Sequence, residues 1–305
     1  MLNRDYLRDA SIGFKAWFYD QLEVSSAAMK AKIEQAAMVL NTTEQIVKHT
    51  WIGDLPRMRQ WADERQIEWL SAGQYALENL DYEVTVGIDR DDLRYDKIGL
   101  VKPAILNLAE QAAKQPWIAL MQAFIDGFTN LCSDGRALFS DSHPSGDNLT
   151  TDQFDTAAYK ALRIQMMAQA DSRSNRLGVY PTHIFCAYDI EPTVQDTFNS
   201  EFLAAGASNI LYKTVQPIMV PEFPAKMWIL ADLSKALKPL IWQQVPQDGG
   251  LEGGSRGIVE FIAKDDPLKD EQAFMRKKYL YGASITGRAG YGFHQLVAGS
   301  AGGGS

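Results

Sequence analysis

The sequence is poor in cysteine and histidine. Cys132, Cys186, His49, His143, His183 and His294 are the full set in 305 residues. No Cys-x-x-Cys or His-Glu-x-x-His occurs, which removes the common redox and zinc spacings. Neither cysteine has a histidine beside it in sequence, so both read as reduced, partly buried thiols. Long apolar runs are missing too. No uninterrupted stretch approaches the ~20 residues that span a bilayer as a helix. The opening residues, Met1 to Tyr6, contain no leader-like apolar run. A soluble chain, cytoplasmic where it is made and without a membrane partner, is expected. In that setting the sequons at Asn41 and Asn148 carry no meaning.

Basic charge is also in short supply. Lys plus Arg number 30 against 38 Asp plus Glu, a formal charge of −8. Such a chain has no electrostatic footprint for a phosphate backbone. What it has in quantity is apolar residues, 46%, with 7 Trp, 12 Tyr and 13 Phe. The length suits one large domain or two intermediate ones around a sizeable core. Aromatics without basic patches read as core and interface residues rather than base-stacking platforms.

Residues up to about Asn41 read as helix, with Ile12, Phe14, Trp17, Phe18 and Tyr19 forming an aromatic face. That face can bury against the chain's own core or against a neighbour's. Around Trp51 to Pro56 the chain turns extended. From Gln74 to Ile88 apolar residues alternate: Tyr75 and Leu77, then Tyr82, Val84, Val86 and Ile88. The break at Asn79-Leu80-Asp81 predicts a turn or bulge and hence a hairpin, whose apolar face needs a partner. Asp96 to Gly127 reads as one long helix, with Pro103 in its first turn, a kink at Pro116 and Gly127 as terminator. A loop with a short strand near Ala137 to Phe139 follows. A helix is expected from Thr151 to Gln169 capped by Asp152, a strand over Thr182 to Ala187, and a helix from Asp189 to Phe202 with Pro192 in its first turn. Short strands are expected at 209–213, 216–220, 227–230, 240–244 and 257–262. Lys277 to Val297 predicts two or three strands broken at Gly287 and Gly290, and Gly299 to Ser305 a flexible tail. Helix-rich and strand-rich stretches in succession argue an α+β fold.

Chemical motifs do not rise above their plainer explanations. Asp141-Ser142-His143 places three triad residue types side by side, but a relay needs them to converge from separate backbone positions, so a turn is the better reading. Asp89-Arg90-Asp91-Asp92 lacks the glycine and distal Glu of a calcium loop and reads as a salt-bridge knot. The glycine-rich run 249–257 precedes a strand and lacks a Gly-Lys-Ser/Thr, so it reads as a surface loop. No catalytic residue, cofactor or metal site is expected.

Three runs carry a resemblance. Trp51-Ile52-Gly53-Asp54-Leu55-Pro56-Arg57-Met58-Arg59-Gln60-Trp61 is similar to the WxGxxPxMxxW run of the Mu-like major head subunit family. Tyr82 to Leu93 continues it, and Leu131-Cys132-Ser133-Asp134-Gly135 with Phe139 and Asp141 to Pro144 adds a third match. The resemblance is strongest from Trp51 to Pro144. It implies the fold shared by tailed-phage capsids, encapsulins and herpesvirus capsid floors. In this chain that places an N-terminal arm at 1–48 and an extended hairpin loop at 49–94. A peripheral domain with a spine helix takes 95–151 and 257–299, an axial domain 152–256, and a tail 300–305.

The implied function is that of a major capsid protein, a non-enzymatic subunit. Its copies assemble in the bacterial host's cytoplasm into the hexamers and pentamers of an icosahedral head, and end in the virion. Implied partners are further copies of itself, a portal, a decoration protein, and DNA enclosed without specific binding. Only about 48 residues precede the loop, so a scaffold is expected to be a separate protein. Candidate interface residues are Trp51, Pro56, Trp61, Tyr75, Arg90, Asp91 and Asp92. The alternative within the fold is an encapsulin-type nanocompartment, and outside it a soluble enzyme of unknown chemistry.

Overall fold

The computed structural model describes residues 4–49, 75–89, 98–171, 174–202, 206–246, 257–264 and 278–303. Two long helices organise it. Helix α1, Arg4–Ala36, repeats apolar side chains every fourth residue, and Phe14, Phe18 and Leu22 are fully buried. Helix α2, Ile98–Asp126, buries Val101, Ile105, Leu108 and Ala112, then Leu120, Met121 and Phe124. Its 29 residues make a rod about 43 Å long, which continues through both Pro103 and Pro116. The two helices pack along one another. The aromatic face of α1 thus reaches the chain's own core, where Phe14 meets Tyr281 edge-on and Phe18 meets Phe261.

The helices lie on a five-stranded sheet of β1 (Ala37–Asn41), β4 (Leu80–Asp89), β9 (Leu240–Gln244), β10 (Val259–Lys264) and β11 (Lys278–Tyr291). Strand β11 is its axis. Gly287 pairs with Leu80 of β4 on one side and Gln244 of β9 on the other. Strand β1 enters parallel to β9, so the chain running out of α1 is locked into the sheet edge.

A second sheet has the order β5-β12-β8-β6-β7, from Leu149–Thr150, Val297–Ser300, Trp228–Ala231, His183–Cys186 and Gln216–Met219. Its three central strands are buried at every residue. Alternate side chains serve two cores. Phe185, Ile229 and Val297 join the core of α1, α2 and the first sheet, whereas Ile184, Cys186, Trp228, Leu230 and Ala298 join a second. That second core is covered by α3 (Thr156–Met167) and α4 (Glu191–Asn199) through Tyr159, Leu162, Val194 and Phe198. Strands covered on both faces read as continuous apolar runs, as His183 to Cys186 does.

Several expectations need correction. Residues 75–78 and 80–89 are not a hairpin. Strand β3 (Tyr75–Glu78) pairs with β2 (Ile46–His49), while β4 pairs with β11 over ten residues. Alternation marks a strand without naming its partner. Asn79 holds the break, donating to the Glu44 carbonyl at 2.8 Å and accepting from Gln243 at 2.8 Å. Helix α3 starts later than expected, and its cap is Asp155, which accepts from the Ala158 N–H at 2.7 Å, not Asp152. Residues 137–139 supply only a single bridge, Leu131 to Ala137. Residues 209–213 form turns rather than a strand, because the Asn209 amide bonds the carbonyls of Thr197 and Ser200.

Glycine chemistry explains the rest. Strand β11 runs unbroken through Gly287 and Gly290. A Cβ at Gly290 would stand 2.4 Å from Leu77, and one at Gly287 2.7 Å from the Trp242 ring, so these glycines permit close packing rather than end strands. Gly127 ends α2 without a left-handed cap; a Cβ there would come within 3.0 Å of Leu138. The expected tail is folded through Gly303: Ser300 is buried and donates to the Asp152 carbonyl at 2.7 Å, and Gly302 takes a φ of 100° against Ala225 and Lys226.

Candidate functional site

Two places draw attention, a ribbon on the first sheet and a buried polar cluster behind it. The ribbon is β2 paired antiparallel with β3, from Ile46 opposite Glu78 to His49 opposite Tyr75. Residues 50–74 connect the two strands, so Trp51, Pro56 and Trp61 lie outside the described residues, as do Arg90, Asp91 and Asp92. Tyr75 is the one candidate interface residue that is described. It is half-buried, and its hydroxyl accepts from the Tyr291 N–H at 3.1 Å. Burial raises its pKa, with the hydrogen bond to Tyr291 opposing. Leu77 packs on Ile241, and the His49 ring meets the Gln243 side chain at 3.1 Å. Burial lowers the pKa of His49, against that hydrogen bond. The ribbon thus sits on its own sheet along one seam. Ile46, at its far end, is 51% exposed.

The polar cluster lies where α2 ends and the chain crosses from the first sheet to the second. Asp141, Ser142 and His143 form no relay. The His143 ring turns instead to Asp134, Nδ1 to Oδ2 at 2.6 Å, and its Nε2 lies 3.2 Å from the Leu138 carbonyl. The turn reading holds for its backbone, whose carbonyl accepts from Gly146 N–H, but the side chain is buried. The His294 ring stacks on His143 at 4.0 Å between centroids, and its Nε2 meets Ser145 Oγ at 2.9 Å.

Cys132 donates from Sγ to Asp134 at 3.0 Å. Burial, reinforced by that carboxylate, pushes its thiol up to about 12. Burial would raise Asp134, yet hydrogen bonds from Cys132, His143 and the Arg136 N–H hold it down at about 2. Beneath the cluster, fully buried Asn148 donates to the carbonyls of Leu138, His294 and Val297 and accepts from the Ser140 N–H.

No histidine adjoins either cysteine in sequence, yet the fold brings donor atoms of Cys132, Asp134, His143 and His294 within 4.8 Å of one another. The sequence signal was absent because His294 comes from the other end of the chain. Cys186 sits in β6 among Trp228, Leu230 and Ala298 in the second core, where burial, with the charges of Glu191 and Asp189 adding to it, raises its thiol to about 12.

Among the described residues no helix is long and apolar enough to cross a membrane.

The family model of the Mu-like prophage major head subunit gpT matches residues 7–154, 148–223 and 221–302. The major capsid protein of Escherichia phage Mu is 27% identical over 267 residues, 88% of this chain. This chain spans 65% of that protein's length, somewhat less than two thirds. The Mu-like prophage FluMu major head subunit of Haemophilus influenzae is 23% identical over 96% of this chain and 72% of its own length. Among solved structures, the procapsid of bacteriophage JBD30 superposes with a TM-score of 0.57 at 23% identity, covering 98% of this chain and 76% of the procapsid chain. That likeness shows a phage-capsid fold, of α+β class as the sequence had led us to expect. With the family model matching almost from end to end, the chain belongs to the Mu-like prophage major head subunit family.

Proposed function

We propose that this chain is the major capsid subunit of a Mu-like phage or prophage, building an icosahedral shell from hexamers and pentamers of itself. The observation that carries the proposal is the family match over residues 7–302, on a fold that superposes on 76% of the JBD30 procapsid chain. The ribbon supports it. Two strands of four residues each are marginal as a free-standing unit. They bracket a segment that holds three of the chain's 7 tryptophans, Trp51, Trp61 and Trp69, a composition that suits burial on another copy. Trp51, Pro56, Trp61 and Tyr75 serve in this reading as interface anchors. Arg90 pairs with Asp91, Asp92 or a neighbour's carboxylate at the base of the loop.

Repeated heterologous contacts of this kind close into rings and shells, and their number compensates for modest strength at each. Consistent with its charge of −8, the wall encloses DNA without specific binding. The subunit performs no catalysis. A separate scaffolding protein, a portal and a decoration protein are its further partners. Assembly takes place in the host cytoplasm, and the virion is its destination.

Negative-stain microscopy of the purified chain, with its scaffold supplied where needed, is the test. Closed particles tens of nanometres across are expected. A chain that stays monomeric under every condition would contradict the proposal.

A further inference from the structure

The cluster behind the ribbon has a donor set that shell building does not call for. Cys132, Asp134 and His143 come from the loop after α2, and His294 from the short 3-10 turn after β11. Each offers one donor atom, and the four atoms lie within 4.8 Å of one another. We propose that these four residues form a structural zinc(II) site, with a thiolate, a carboxylate oxygen and two imidazole nitrogens as ligands.

The donor set selects the metal. Calcium and magnesium take oxygen ligands, whereas one sulfur and two imidazoles suit the borderline softness of zinc. Four protein ligands fill a tetrahedral shell and leave no position for substrate, so the role is structural.

The hydrogen bonding around the cluster points the same way. With Nε2 donating to the Leu138 carbonyl, His143 Nδ1 either carries a second proton for Asp134 Oδ2, 2.6 Å away, or shares a cation with it. Two lone pairs do not face each other at that distance without a proton or a cation between them. A ligating histidine typically gives its other N–H to a backbone carbonyl or a polar side chain. His143 has Leu138 in that position, and His294 has Ser145 Oγ at 2.9 Å from Nε2. Asp134, although its backbone is on the surface, keeps its side chain only 19% exposed, and the His143 side chain is fully covered.

Binding replaces the Cys132 S–H bond with a sulfur–zinc bond and releases that proton to solvent. Because the sulfur binds as a thiolate, affinity rises with pH. The stacked rings, 13° from parallel at 4.0 Å, must turn apart for both to address one ion in their planes. The bound ion then ties residues 132–143 to the segment that leads from β11 into β12, and so fastens the first sheet to the second.

The full-length chain, stripped with a chelator, is titrated with zinc(II) in calorimetry and with cobalt(II) in absorption spectroscopy. One zinc per chain and a sulfur-to-cobalt charge-transfer band are expected, both lost in Cys132→Ser and both kept in Cys186→Ser. Ser145→Ala, which removes only the outer contact of His294, is expected to weaken zinc roughly 10-fold or more. Histidine-resolved NMR of the unsubstituted chain supplies a readout that no folding defect can confuse: the ring signals of His143 and His294 shift together on adding zinc. Wild-type protein that takes up no stoichiometric zinc, or a cobalt complex without the thiolate band, overturns the proposal.

Discussion

The second sheet and the β2–β3 ribbon solve the same problem in opposite ways. Every strand has an edge to pair and side chains to bury. In the second sheet, β6, β8 and β12 pair on both edges and send alternate residues into two cores. That sheet is complete within one subunit. Among the described residues the ribbon pairs only with itself, and it rests on the first sheet through Leu77, Tyr75 and His49. The lesson is where the chain keeps its own stability and where it keeps material for neighbours.

The comparison breaks most easily at Trp228. Its side chain is wholly buried, meets Phe154 edge-on, and donates from Nε1 to the Asp152 carbonyl at 3.1 Å. Trp228→Ala is expected to cost the isolated subunit about 3–5 kcal/mol, measured by denaturant unfolding. A cost near zero would mean that the second sheet is not self-sufficient. Trp61→Ala should do the reverse. We expect an unchanged melting temperature for the disassembled subunit, and shells weakened by about 2 kcal/mol per contact, read as the denaturant needed to dissociate them. A large fall in subunit melting temperature would place Trp61 in its own subunit's core.

The seam between ribbon and sheet is tested at Gly290. A valine there puts its Cβ on Leu77. Overpacking of this kind costs about 1–3 kcal/mol, and adding Leu77→Ala should recover part of it in a double-mutant cycle. Full additivity of the two substitutions would deny the contact.

The smallest effect is a pH dependence. Burial lowers the pKa of both His49, in the ribbon, and His183, in β6. Their folded forms bind protons less readily than the unfolded chain does. Stability from this source is therefore present above the unfolded value of about 6.5 and is lost as pH falls through the folded values. A His49→Gln, His183→Gln double variant should show a flatter stability profile below that pH.

Much of the architecture could be read from spacing alone. Val101, Ile105 and Leu108 marked α2, and the apolar His183 to Cys186 marked a doubly covered strand, because both patterns depend on neighbours in sequence. What could not be read depended on distant partners. Tyr82 to Ile88 alternates in the same way whether its partner is β3 or β11. Gly287 and Gly290 looked like breaks because the Trp242 ring and Leu77 that require them lie 45 and 213 residues away. Cys132, Asp134 and His143 are close in sequence, but His294, which completes their cluster, lies 151 residues beyond His143. The interface candidates at 51–61 and 90–92 rest on composition and family likeness, and their test has to be made on assembled particles.

Hydrogen exchange on disassembled subunits and on shells of the same protein tests the division of labour most directly. The account predicts that β6 and β8 are equally protected in both states, while amides in residues 50–74 gain protection only in the shell. Equal protection of 50–74 in the isolated subunit and the shell would contradict it.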